Sequence, residues 1–146
     1  MPTAAKLIAA VYYALLGLLA SALVMPLMPP DTIFGYFQPI CAAIGAVCGW
    51  RIAGTLVGAP LRLALETGVR TSAVQVFYSV LGMAIYDMVL QSMKLRYDGP
   101  VEAVQAVFQI SVDYLYIMLN GPLIATLLIG GAFGGVVAEW AAKRWR

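Results

Sequence analysis

Arg51, Asp87 and Glu139 are ionisable residues set inside otherwise apolar stretches of this 146-residue chain. Charge in such a setting is costly in hydrocarbon and marks the first candidates for function. Arg51 follows Trp50 and Glu139 precedes Trp140. Both lie toward the same end of their stretches, so the spacing predicts similar depth and an intramembrane ion pair between Arg51 and Glu139. Lys143, one turn after Glu139, is an alternative partner. Both long side chains can also reach a nearby interface without pairing. Asp87 is expected to reach the opposite interface in that way, with Lys94 and Arg96 close in sequence.

Other chemistry is thinly provided for. The chain has no histidine and only two cysteines, Cys41 and Cys48. The missing histidines remove bis-His haem ligation, the usual zinc sets and His-based acid–base catalysis. The cysteines are seven positions apart on a helical stretch, about 10 Å at 1.5 Å per residue, too far for a disulfide. They read as small packing residues. No P-loop, Gly-rich nucleotide fingerprint, Ser/His triad or CxxC occurs. The expectation is a protein that is not an enzyme and has no catalytic, cofactor or metal site.

The elements that hold these residues follow from composition. Hydrophobic residues make up 62% of the chain and charged residues 11%, against about a quarter charged in a soluble domain. Nine basic and seven acidic groups cannot coat a water-soluble surface, but they can coat the two ends of a helical bundle whose sides face lipid. The apolar stretches are long and do not alternate, which favours helices over a β-barrel. A net charge of +2 gives no reason to expect a nucleic-acid partner.

Four transmembrane helices are expected, over about 7–25, 39–57, 71–90 and 123–140. The first could be read as a signal peptide cleaved after Ala20-Ser21-Ala22, but the apolar run continues to Met25 and Leu27, long enough to span. Pro26, Pro29, Pro30 and Asp31 form a loop, and Phe34, Tyr36 and Phe37 suit an interfacial aromatic belt. Pro60 starts a helix in which Arg62, Glu66 and Arg70 share a face and can form a salt-bridged ladder. They are read as a solvated cytoplasmic stem continuous with the third span. Tyr97-Asp98-Gly99-Pro100 followed by Glu102 is a helix start. It opens an amphipathic helix over 101–119 on the periplasmic side. Glu102, Gln105, Gln109, Asp113 and Tyr116 form its polar face, and Val104, Val107, Phe108, Val112, Leu115 and Met118 its apolar one. Asn120-Gly121-Pro122 ends it and starts the last span.

Small-xxx-small spacing recurs at Gly45 and Gly49, at Gly54 and Gly58, and in the doubled set Gly130, Gly131, Gly134 and Gly135. Such positions let helices approach closely in lipid, so all eight are candidate helix-packing residues toward other membrane helices, of a second copy or of a larger complex. Four spans put Lys6, Arg51, Arg62, Arg70, Lys143, Arg144 and Arg146 on one side and Lys94 and Arg96 on the other. The basic side is cytoplasmic and carries both termini. The fold class expected is an all-α membrane protein with four spans and one periplasmic amphipathic helix.

Several strings taken in order carry a family likeness. They are Met1-Pro2-Thr3-Ala4-Ala5-Lys6-Leu7, Cys48-Gly49-Trp50-Arg51, Arg96-Tyr97-Asp98-Gly99-Pro100 and Ala138-Glu139-Trp140-Ala141. The chain resembles the TrgA family, small integral membrane proteins of alphaproteobacteria associated with tellurite resistance. The resemblance spans nearly the whole chain and implies a bacterial inner-membrane location. Direct handling of the oxyanion would call for converging Arg, Lys or backbone N–H donors, and Arg51 is the one basic group well inside a span. An indirect role fits these residues at least as well, either in the envelope or as an accessory or assembly subunit of a respiratory or photosynthetic complex. A small dimeric transporter is the remaining reading, and no internal repeat supports it.

Overall fold

The computed structural model describes residues 3–30, 35–58, 60–95 and 98–145. Asp31, Phe34, Arg96, Tyr97, Arg146 and the leading Met1-Pro2 lie outside them. The described chain is all helix, with no strand. Helix α1 is Thr3–Val24 and runs into a 3-10 turn, Met25–Leu27. Helix α2, Phe37–Cys48, continues as a π turn, Gly49–Ala53. Then follow α3, Leu61–Met93, α4, Pro100–Met118, and α5, Gly121–Arg144. Three helices, α1, α3 and α5, are long and apolar enough to cross a membrane, whereas the apolar run Phe37–Ala53 is shorter.

Helices α1, α2, α3 and α5 close a four-membered ring of contacts, and glycines set its tightest points. A Cβ on Gly49 would lie 2.5 Å from the Ala9 carbonyl oxygen, and one on Gly54 2.7 Å from Lys6 Cα. With Gly45 against the Tyr13 carbonyl and Gly17 against that of Cys41, these pairs run α1 and α2 antiparallel. Gly68 meets the Gly131 carbonyl and Gly135 that of Ala64, which sets α3 antiparallel to α5. Gly130 faces the Leu16 side chain and Gly134 the rings of Tyr12 and Tyr13. These glycines are therefore engaged inside one chain. Gly58 is different: it sits past the π turn with φ 98, a left-handed conformation suited to glycine.

Two apolar clusters fill the bundle. Ala9, Tyr13, Leu16, Ala53 and Ala138 pack near the end that carries the chain termini. Trp145 lines a hollow there with Ala4, Leu7 and Ile8, so both ends of the described chain meet. Toward the far end Val24, Phe37, Cys41, Val80, Met83, Tyr114 and Leu123 form the second cluster. Phe37 is thus a core residue rather than a member of an interfacial belt, while Tyr36 is exposed.

Helix α3 is continuous from Leu61 as expected, but its first turns pack in the bundle instead of standing clear of it as a stem. At 33 residues it is about 50 Å long, well beyond a hydrocarbon core of about 30 Å. Its buried positions begin at Ala64 and end at Ala84. The stretch that leaves the bundle is therefore the C-terminal one. Arg62, Glu66 and Arg70 occupy an outward stripe, while Ala64, Thr67 and Gly68 on the same turns pack inward. No ion pair joins those three charges.

Helix α4 folds back on the outer part of α3. Gly99 is its N-cap and Pro100 its first residue, and Glu102 Oε2 accepts the Asp98 backbone N–H at 3.1 Å. The helix has three faces rather than two. Ile110, Tyr114 and Met118 join the far-end cluster. Val101, Val104, Phe108, Val112, Leu115 and Leu119 are exposed, and so are the polar Glu102, Gln105, Gln109, Asp113 and Tyr116. Val107 and Met118, assigned to the apolar face from sequence, are partly buried instead.

Candidate functional site

Three polar arrangements occur along the bundle, one near each end and one between. At the termini end, Glu139 is 5% exposed. Its Oε2 accepts the Gly58 backbone N–H at 2.7 Å, and its Oε1 lies 3.5 Å from Lys143 Nζ. The second contact is an ion pair too long for a charge-assisted hydrogen bond, and Oε1 accepts none. The carboxylate thereby fastens the α2–α3 connection to α5. The expected pair with Arg51 does not form, and Glu139 takes its alternative partner. The reason is helical phase. Ala53 packs inward in the same cluster as Ala138, the neighbour of Glu139. Arg51, two residues earlier in the π turn, projects to the side opposite Ala53. It is exposed and lines a groove between α2 and α3.

In the middle, side chains from α1 and α3 form a polar layer. The Tyr13 hydroxyl lies 3.1 Å from the Gly68 carbonyl and 3.2 Å from that of Gly131, a position from which its one proton can be shared between α3 and α5. Tyr12 donates to the Gly130 carbonyl at 2.9 Å. Gln75 Nε2 donates to the Tyr13 carbonyl at 3.1 Å, and Thr71 to that of Thr67 at 2.7 Å. Gln75 Oε1 and Ser72 Oγ are buried without a hydrogen-bond partner. Two adjoining cavities of about 20 Å3 each border this layer, one walled by Gly17, Ser21, Gln75 and Ser79 among others. Either has room for about one water.

Near the far end, the Tyr114 hydroxyl donates to Asp87 Oδ2. Burial first, and then the hydrogen bond and charge of Asp87, push the Tyr114 hydroxyl above its ordinary pKa, so it remains a donor. Asp87 is therefore partly buried and tied to α4 rather than extended alone to an interface, and Lys94 makes no ion pair with it.

The polar layer is the part that reading by charge overlooked. Thr67, Thr71, Gln75 and Ser79 recur every four residues on α3, and all are buried. Positions four apart share a helix face, so the stripe was present in the sequence. Cys41 and Cys48 are both free and buried. Among the described residues no three of His, Cys, Asp and Glu converge on one point. The geometry is that of clasps holding helices together, with a carboxylate on a backbone N–H at one end and a phenol on a carboxylate at the other.

Fold and site together define an all-helical protein with three helices long and apolar enough to cross a membrane, a four-membered helical bundle and an outer helical hairpin. Comparison of the chain with protein-family models, curated proteins and solved structures finds no match.

Proposed function

We propose that the chain is a non-enzymatic inner-membrane protein that crosses four times, keeps both termini in the cytoplasm and serves as an accessory docking subunit of a larger membrane complex. Topology supports four crossings. Helices α1 and α3 run in the same direction, so the chain must return between them, and α2 with its π turn is that return. Its 17 residues, Phe37–Ala53, cover about 25 Å, slightly less than the hydrocarbon core. Lys6, Arg62, Lys143 and Arg144 gather where the termini meet, which favours the cytoplasmic side for that end.

The observation that carries the docking role is the exposed stripe on α4, Val101, Val104, Phe108, Val112, Leu115 and Leu119. Its steps of three, four and four residues repeat after eleven, about 3.67 residues per turn, so the stripe drifts only slowly around the helix. Glu102 and Asp113 lie beside it, and α4 has no basic residue. The partner this fits is a membrane protein whose own apolar ridge is flanked by Lys or Arg on the periplasmic side. Association through the glycine faces is disfavoured, because this chain's own helices occupy them. The tellurite resistance implied by the TrgA resemblance would then arise through the partner complex.

The test is gentle detergent purification of the tagged protein, with native-gel mass spectrometry and an absorbance spectrum, beside a variant carrying Phe108→Ser and Val112→Ser. Co-migration of the wild type with a larger complex, lost in the variant, is expected. Migration of the wild type alone would sink the accessory role.

A further inference from the structure

On the outside of the bundle, a guanidinium without a carboxylate partner stands at the foot of an apolar groove. The groove lies between α2 and α3, has a volume of about 620 Å3, and is walled by Ala43, Ile44, Val47, Val74 and Tyr78 with Arg51 at one end. Its origin is local. The two helices close at Ile44, whose Cδ1 would lie 3.3 Å from a Cβ on Gly82. Toward the termini end Gly45, Gly49 and Gly54 draw α2 onto α1 rather than onto α3. The π turn completes this. The Gly54 N–H bonds the Gly49 carbonyl at 2.8 Å, so Gly54 returns to the α1 side five positions after Gly49 and Arg51 is left exposed on the groove. No carboxylate of the described residues comes within salt-bridge distance of Arg51.

We propose that this groove is a binding site for one acyl chain of an anionic phospholipid, with the lipid phosphate held by Arg51. Charge and length both select that occupant. A guanidinium matches a phosphate in bidentate geometry and remains charged at any working pH. From Ala43 to Ile52, the limits of the groove on α2, the helix advances about 13 Å. That is close to half of a hydrocarbon core of about 30 Å, the depth of one leaflet. A phospholipid thus brings phosphate and chain in the order that the groove presents cation and apolar wall. A second copy of this chain would have to bring a carboxylate to Arg51 or cover its guanidinium unpaired. Arg70, exposed one turn before Val74 on α3, adds positive charge near the same end and favours a lipid of net negative charge. The assignment needs α2 to lie in the membrane and does not depend on the docking role of α4.

Native mass spectrometry of the purified protein alone tests it, with phosphatidylglycerol or phosphatidylcholine of matched chains added to the wild type, Arg51→Gln and Ala43→Trp. The wild type is expected to retain one phosphatidylglycerol in preference to phosphatidylcholine. Arg51→Gln, at an exposed position, should weaken retention at least about tenfold through loss of charge-assisted hydrogen bonds. Ala43→Trp should weaken it similarly by filling the groove while Arg51 remains. Equal retention of phosphatidylglycerol by either variant and the wild type overturns the site. So does a lipid-free dimer that Ala43→Trp converts to monomer, because the groove then belongs to a second copy.

Discussion

Gln75 donates its amide to the Tyr13 carbonyl at 3.1 Å and buries its own carbonyl oxygen without a partner. One side chain thus provides a cross-helix bond and an unmet acceptor in the middle of the bundle. Side-chain hydrogen bonds between membrane helices contribute about 0.6 kcal/mol on average, whereas an unsatisfied buried acceptor costs about 1–3 kcal/mol. Gln75→Met keeps a similar length and removes both. Its stability in an SDS unfolding titration should equal or exceed that of the wild type, by no more than about 2 kcal/mol. Any loss of stability would show that the bond to Tyr13 outweighs the unmet acceptor.

Gly135→Ala tests whether the helix contacts are backbone on backbone. The added methyl would meet the Ala64 carbonyl and lie 3.1 Å from Gly68 Cα, and backbone cannot swing aside as a side chain can. Overpacking of this kind costs about 1–3 kcal/mol. Gly121→Ala is the control, because nothing lies within 4 Å of its added Cβ. Thermal melts in one detergent should separate the two. Equal melting temperatures would mean that α3 and α5 are less tightly apposed than this.

Glu139 predicts an ordered series. Glu139→Gln keeps a carbonyl oxygen for the Gly58 N–H and should be nearly neutral. Lys143 is 71% exposed on its side chain, so Lys143→Ala should change stability by less than about 1 kcal/mol. Glu139→Ala removes the acceptor of an N–H on an exposed glycine, where water can take its place, and should cost about 0.5–1.5 kcal/mol. Gly58→Ala should cost about 1–2 kcal/mol because alanine must adopt the left-handed conformation. Combining Arg51→Glu with Glu139→Arg should not rescue either single change. Rescue would place those two residues in contact.

The sequence showed which residues matter more readily than which way they face. Small-xxx-small spacing marks Gly45, Gly49, Gly131 and Gly135 as close-approach positions, but spacing does not name the partner helix, and here it is a helix of the same chain. Gly54 and Gly58 share that spacing, yet the chain has left the helix before Gly58, which uses its N–H on Glu139 instead. Arg51 was misdirected by the same local event. A π turn adds a residue to one turn and rotates all that follows, and nothing in Gly49-Trp50-Arg51 announces it. Arg62, Glu66 and Arg70 suggested a solvated stem because charge draws notice before the alanine and glycine between them. Gln75 and its threonine and serine neighbours were legible at a spacing of four but lack charge.

The outer clasp gives the remaining prediction. Tyr114 is the buried residue of α4, and its hydroxyl bonds Asp87 near the projecting end of α3. Tyr114→Phe keeps the ring in the apolar cluster but strands a partly buried carboxylate, whereas Asp87→Asn keeps an acceptor for the hydroxyl. Amide exchange across α4 should therefore speed up more in Tyr114→Phe than in Asp87→Asn, by about tenfold over the wild type for a loss of about 1.4 kcal/mol. The α1 and α5 amides should be unchanged, because the clasp touches only the hairpin. If α4 exchange is the same in all three proteins, the hairpin is held by the apolar packing of Ile110, the ring at 114 and Met118, and the clasp contributes nothing to presenting the α4 stripe. Faster exchange confined to α4 would instead link its presentation to the Asp87 carboxylate, and partner retention should fall in the same variant.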